Sequence, residues 1–232
     1  SHSMVIRNDR KILDDVSVRL DAGKKICLVG SSGSGKSTLL RTMAGVLNMQ
    51  GGSLAVNGED VTDRPGLTHK DLLYLTQETT IFSASIGDNV SLFRRMPEQT
   101  LKTALLRAGL GDWFHSAGAN LDKVLEKNSA KLSGGEQRRF DFARILAEDG
   151  KILLFDEPTA GLDAANARNI MDQIAAMDGC MVMVATHDLD EENMRRFDEV
   201  YIMENGRVAL HGTPDIILAS NCYKELRQGA AK

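Results

Sequence analysis

No two of the three cysteines stand close enough to form a CxxC pair, and none lies in a cluster with histidine: Cys27, Cys180 and Cys222 are far apart. That spacing argues against a zinc site or a dithiol redox motif. Cys27 and Cys180 sit in apolar runs and read as small buried residues. A reduced, cytosolic environment suits the pattern. No stretch approaches the roughly 18 uninterrupted apolar residues of a membrane-spanning helix, and no signal peptide is recognisable. A basic excess is missing too. The net charge is −4, which argues against a dedicated nucleic-acid binder. No internal repeat, low-complexity tract or flexible linker is evident. Aromatic residues make up only 5%, and no Phe, Tyr or Trp precedes Tyr74.

What is present is ordinary for one soluble domain with room for two lobes: 232 residues, 42% hydrophobic and 26% charged. Ser1-His2-Ser3 reads as a cloning remnant and is set aside, and the natural chain is expected to continue upstream. Val16–Leu20 alternates apolar and polar residues as a strand does, and Lys25–Val29 reads as a short buried strand. Ser37–Val46 reads as a helix, Ser53–Val56 with Asn57-Gly58 as a strand and tight turn, and Leu72–Leu75 as a strand. From Ile86 to Ala147 the texture turns helical. Leu101, Ala104, Leu105 and Ala108 share one face of a helix over Pro97–Ala108, and Ser133–Ala147 is a second helix. Alternation returns with a strand at Lys151–Phe155, a helix at Ala164–Met177 and an apolar strand at Cys180–Thr186. A hairpin over Glu199–His211 turns at Asn205-Gly206, and Thr213 caps a last helix with Pro214 at its first position. The order describes an α/β core interrupted by a helical lobe.

Chemistry concentrates at three places. Gly30-Ser31-Ser32-Gly33-Ser34-Gly35-Lys36-Ser37, followed by Thr38, matches G-x-x-x-x-G-K-[ST] between a strand and a helix. Such a loop turns successive N–H groups toward one anion, and the helix N-terminus adds a favourable field. Lys36 supplies a charge for the β- and γ-phosphates of ATP, and Ser37 a hydroxyl for Mg²⁺. The second place is Ile152-Leu153-Leu154-Phe155-Asp156-Glu157, where an apolar strand ends in two carboxylates. Asp156 is expected to hold Mg²⁺ and Glu157 to polarise the attacking water. His187, after another apolar strand, is placed to reach a γ-phosphate or orient that water, or is simply a polar strand end. The third is Leu132-Ser133-Gly134-Gly135-Glu136-Gln137. Ser133 and Glu136 form a capping box. Two glycines in the first turn cost roughly 1 kcal/mol each, so they point to close approach by another group, and a phosphate suits the exposed N–H groups.

With these residues in view, the sequence resembles the nucleotide-binding domain of ATP-binding cassette (ABC) proteins. Leu132–Gln137 looks like that family's signature motif. Walker A at 30–38, a Q-loop glutamine at Gln77, Walker B at 152–157, a D-loop at Ala160-Gly161-Leu162-Asp163 and a switch histidine at His187 follow in the family's order. The resemblance implies an α/β fold: a P-loop NTPase (RecA-like) core with an N-terminal antiparallel β-subdomain and a helical signature subdomain. One cassette is expected over 4–232, with its core at about 4–77 and 146–232 and the helical part at about 78–145. It also implies that two cassettes pair head to tail around two Mg-ATP. Ser133 and the Gly134 and Gly135 amides of one would then meet the γ-phosphate on the other. Gln77 would couple Mg²⁺ to the helical lobe and a membrane partner. Asp163, an N-cap by sequence, would lie at the dimer interface.

Thr80–Val90 resembles the segment that follows the Q-loop in exporter-type cassettes, where the domain is fused behind a transmembrane domain. Phe82 and Ile86 are its candidates for docking that partner, or are simply core residues. The implied function is the ATPase motor of an ABC membrane exporter, at the cytoplasmic face of the membrane, with no nucleic-acid partner. The alternatives are a soluble ABC ATPase acting on ribosome or nucleic acid, and a regulatory cassette of a heterodimer. The first is disfavoured because 78–131 is too short for a long coiled-coil insertion, the second because Glu157, His187 and the signature are intact. Two departures from the family stand out. Leu121–Lys131 keeps only an echo of the stretch that precedes an exporter's signature. No early aromatic is available to stack on adenine, which leaves Ile6 and Arg7 as the nearest substitutes.

Overall fold

Apolar strands that alternate with amphipathic segments are expected to gather in one sheet with helices against it. The computed structural model describes residues 2–4, 6–7, 10–49, 51–56, 58–62, 72–125 and 132–230. Along the chain come β1 (His2–Met4), β2 (Ile6–Arg7), β3 (Arg10–Lys11), β4 (Val16–Ser17), β5 (Lys25–Val29) and α1 (Lys36–Met43). Then follow β6 (Gly51–Gly52), β7 (Ala55–Val56), β8 (Glu59–Asp60) and β9 (Leu72–Leu75). A helical stretch holds α2 (Ile86–Ser91), α3 (Glu98–Arg107), α4 (Gly111–Ser116) and α5 (Gly134–Ala147). After it come β10 (Ile152–Asp156), α6 (Ala164–Ala175), β11 (Met181–Thr186), α7 (Glu191–Met194), β12 (Glu199–Glu204), β13 (Arg207–Gly212), α8 (Pro214–Ala219) and α9 (Asn221–Ala230).

Two compact units form. The first joins Ser1–Tyr74, Gly150–Glu157 and Asp178–Lys232. Its main sheet has the order β13-β12-β5-β11-β10-β9. The strands β12, β5, β11 and β10 run parallel to one another, and β13 returns antiparallel to β12. Ile26, Cys27, Leu28 and Val29 are all buried, which is why β5 carries no polar face. Leu13, Leu40, Leu154 and Met183 join Ile26 and Leu28 in one core cluster. Each such side chain contributes roughly 1.5–3 kcal/mol by leaving water.

The register aligns the strand ends: Asp156 lies opposite Ala185, and Thr186 opposite Val29. The segments after β5, β10 and β11 therefore leave the sheet at one edge, where open α/β sheets bind ligands.

The antiparallel strands expected at the N-terminus are present but short. β1 pairs with β4 and β6, β2 with β3, and β7 with β8. His2 and Ser3, set aside in the sequence reading, take part through β1, because a ladder needs backbone amides and no particular side chain. The strand expected over Val16–Leu20 ends at Ser17. The turn after β7 is where Asn57-Gly58 placed it; Asn57 itself is outside the described residues, as are the side chains of Ile6 and Arg7 and residues 126–131.

The second unit joins Leu75–Asp149 and Pro158–Met177. Its axis is α5, which packs against α2 and α3. Phe140 and Phe142 are fully enclosed, and Leu101, Ala104 and Leu105 of α3 are buried as their spacing predicts. Trp113 of α4 stands edge-on to Phe140 at 5.1 Å between centroids. Arg107 of α3 donates to the Gln173 side chain of α6 at 2.9 Å.

Candidate functional site

The phosphate loop is held in place by its neighbours. A Cβ on Gly30 would come within 2.3 Å of the Met203 carbonyl oxygen at the end of β12, so only glycine fits. The Ser31 carbonyl accepts from Ser34 N–H at 3.2 Å. The Ser34 carbonyl accepts from Gly206 N–H at 3.0 Å, and the Gly206 carbonyl from Asp14 N–H at 2.8 Å. The hairpin turn thus clamps the loop to the segment at Ile12–Asp14, and Arg207 pairs with Asp14.

Gly206 has φ +79°, and a Cβ there would meet the Ile12 carbonyl oxygen at 2.0 Å. Gly206→Ala is expected to cost roughly 1–3 kcal/mol of stability. Chemical denaturation measures it; an unchanged midpoint would show that the turn does not press on Ile12.

Lys36 is only 6% exposed. Its Nζ donates to the Gly30 carbonyl at 2.7 Å and the Ser31 carbonyl at 3.0 Å. Burial pulls its pKa down, and Glu157 and Asp156 push back. The ammonium is thus folded into the loop, on neutral acceptors that phosphate oxygens can replace with stronger, charge-assisted ones. Ser34 is 3% exposed, and its Oγ has no hydrogen-bond partner. Thr38 lies in the first turn of α1, where its carbonyl accepts from Thr42 Oγ1 at 2.8 Å.

Asp156 is fully enclosed at the end of β10. Ser37 Oγ donates to its Oδ1 at 2.9 Å, and the Tyr74 hydroxyl donates to Oδ2 at 3.2 Å. Burial raises the pKa of Asp156, the Ser37 and Tyr74 bonds lower it, Glu157 raises it and Arg41 lowers it. Burial and the nearby Asp156 push the Tyr74 phenol up to about 12, so it stays a neutral donor. Nothing in the sequence singled out Tyr74 for the site; its only signal was a polar handle on an apolar strand three residues before Gln77.

Glu157 departs from the strand with φ +52°, a left-handed backbone that costs a side-chain-bearing residue on the order of 1–3 kcal/mol. Its N–H still donates to the Ala185 carbonyl at 2.8 Å. His187 Nδ1 lies 2.8 Å from Glu157 Oε2, with the histidine side chain 68% exposed and that of the glutamate 10%. The kinked backbone aims the carboxylate off the strand line, and the histidine closes on it from solvent.

The other predicted residues belong to the second unit. Ser133 caps α5: its Oγ accepts from Glu136 N–H at 3.2 Å, and its own N–H donates to Glu136 Oε2 at 2.7 Å. Ser133 and Gly134 are exposed. A Cβ on Gly134 would meet nothing within 4 Å, and one on Gly135 would lie 3.3 Å from Leu162. Packing within the chain therefore gives no reason for glycine at 134.

Asp163 caps α6, accepting from Asn166 N–H at 3.0 Å. That backbone bond, with a second from the Asn166 side chain, holds its pKa down. Gln77 is exposed just beyond β9, and its carbonyl and that of Thr76 face Arg138 of α5.

Of the two docking candidates, Phe82 is 36% exposed, but Ile86 is fully buried as the first residue of α2; it is a core residue. Phe82 stacks edge-on with Phe93, itself 61% exposed. Arg144 of α5 holds the segment beneath: it donates to the Thr80 carbonyl at 2.6 Å and the Asn89 carbonyl at 2.7 Å, and its guanidinium lies 5.5 Å from the Phe82 ring centroid. Asp141 pairs with Arg144, and burial pushes its pKa up to about 6.

A glycine-rich loop opening a helix, with two strand-end carboxylates on the same parallel sheet, defines a P-loop nucleoside triphosphatase. Residues 13–160 match the model of the ABC transporter family. The chain belongs to that family and corresponds to its nucleotide-binding domain. It is 31% identical over 221 residues to the ATP-dependent lipid A-core flippase of Pseudomonas fluorescens, a match that covers 93% of this chain and 36% of the flippase. It is 32% identical over 224 residues to the glutathione/L-cysteine transport system ATP-binding/permease protein CydC of Escherichia coli, covering 95% and 38%. The solved structure of a bacterial Atm1-family ABC exporter with ATP bound matches with a TM-score of 0.88 and 26% identity, over 100% of this chain and 41% of that one. The chain spans little more than a third of the length of the curated relatives it matches.

Proposed function

We propose that residues 4–232 form one cassette that hydrolyses Mg-ATP as half of a head-to-tail pair and drives a membrane-embedded exporter domain fused upstream. One observation carries the reading. The chain holds Lys36, Ser37, Asp156, Glu157 and His187 at one sheet edge, yet its capped signature turn presents a glycine that its own packing does not require. A second copy facing that turn supplies the reason: its γ-phosphate lies against Ser133 and the Gly134 and Gly135 amides, with Asp163 at the same interface. Nothing in the net charge of −4 favours a nucleic-acid partner.

Within each site the Gly30–Thr38 segment takes the phosphates, with N–H groups and Lys36 as donors. The donor set suits magnesium, a hard cation that prefers oxygen: a hydroxyl and an enclosed carboxylate already meet at 2.9 Å. Ser37 and Asp156 would hold it. When bound, it offsets charge on the transferring phosphoryl group. Glu157 orients and polarises the water that attacks the γ-phosphorus as the bond to the ADP oxygen breaks. His187 steadies that carboxylate through Nδ1.

The exposed Phe82–Phe93 pair, backed by Arg144, supports docking of the membrane domain on the second unit. Among the described residues no helix is long and apolar enough to cross a membrane. On this reading the cassette works at the cytoplasmic face of the membrane as the motor of that partner.

Steady-state kinetics test the pairing. Mg²⁺-dependent ATPase activity is expected to rise faster than linearly with protein concentration. A strictly linear rise, with no dimer by light scattering, would remove the shared site.

A further inference from the structure

The enclosed carboxylate of Asp156 is approached from two elements. Ser37 of α1 donates to Oδ1 at 2.9 Å, and Tyr74 of β9 donates to Oδ2 at 3.2 Å. The Arg41 charge of α1 acts on both Tyr74 and Asp156. The carboxylate is thus held by a hydroxyl on each of its oxygens.

We propose that Tyr74 is a positioning residue for the magnesium carboxylate: by engaging Oδ2 it sets the plane of Asp156 and keeps Oδ1 turned toward Ser37 and the phosphate loop. This rests on the reading of Ser37 and Asp156 given under Proposed function.

The physical reason is rotational. The terminal torsion of an aspartate is broad and soft, so one hydrogen bond leaves the carboxylate free to swing. Donors on opposite oxygens remove that freedom. Ser37, by donating its O–H to Oδ1, keeps its oxygen lone pairs available for a cation. If the carboxylate swung, Ser37 would lose that acceptor and the two oxygens would no longer face one point. Partners behind a ligand commonly set its orientation in this way. Tyr74 is half-buried between the buried Leu72 and Leu75, so a phenylalanine fills its space. The hydroxyl is the atom that separates positioning from packing.

The test compares the wild-type chain with Tyr74→Phe. Mn²⁺ serves as the paramagnetic probe, titrated by EPR in the presence of a non-hydrolysable ATP analogue. Affinity for a fluorescent ATP analogue is measured in parallel with EDTA. The expected result is an Mn²⁺ dissociation constant raised about tenfold, with metal-free nucleotide affinity unchanged. Equal Mn²⁺ affinity in the two proteins would overturn the inference. So would an equal loss with and without metal, which would make Tyr74 a support of the whole loop. If the wild-type chain binds nucleotide but takes up no Mn²⁺, the magnesium reading itself falls, and the role of Tyr74 with it.

Discussion

Glu157→Gln is expected to lower ATP turnover at least about a hundredfold, the scale of one general base, while ATP binding persists. The amide keeps the shape of the side chain and an oxygen for His187, which lies 2.8 Å away in the parent. It loses the negative charge that polarises the attacking water. The phosphate loop, Lys36 and Ser37 are untouched, so nucleotide should still seat and hold the pair together. Size-exclusion chromatography with Mg-ATP is expected to show a stable dimer for the variant and only a transient one for the parent. Unimpaired turnover would remove Glu157 from the chemistry, whereas loss of both turnover and nucleotide binding would make it a structural residue.

Two inactive variants are expected to restore each other when mixed. Lys36→Ala removes the loop's charge and weakens nucleotide binding in its own half. Gly134→Asp should leave its own fold sound: the position is open, and a carboxylate at the first turn of α5 suits the helix dipole. Placed against a partner's γ-phosphate, the same carboxylate repels, and the site fails. In a mixed pair one site joins an intact loop to an intact signature turn. Half of randomly formed pairs are mixed, and one of their two sites is whole, so about a quarter of parental activity should return. No recovery in a mixture shown to form heterodimers would overturn the shared site.

Much of this was readable from residue patterns. The strands β5, β9, β10, β11 and β12 are continuous apolar runs bounded by turn residues, and such runs declare themselves without tertiary help. The same holds for α3 and α5, whose apolar faces repeat at helical spacing. The short elements did not declare themselves. Six residues at Ile86–Ser91 carry no period of their own; α2 exists because Ser85 caps it and Ile86 enters the core. That burial also decides between the two readings left open for Ile86. β1 to β3 and β6 are two or three residues long and depend on their partners.

The site divides along the same line. Gly30–Thr38 and Asp156-Glu157 are contiguous motifs, and their chemistry could be read directly. The contact of Glu157 with His187 spans thirty positions, and that of Tyr74 with Asp156 spans 82. Both depend on strand order and register, which residue spacing does not encode. The left-handed backbone at Glu157 was equally hidden, since glutamate has no preference for it.

Trp113 gives the domain a property of a different kind. It is the chain's one indole, and it stands edge-on to Phe140, in the same helix that Ser133 caps. Tryptophan emission from this protein therefore arises at a single point beside that helix, with no second source to blur it. Movement of α5 relative to α4 changes the indole's surroundings directly, so the chain carries its own optical probe there and needs no attached dye.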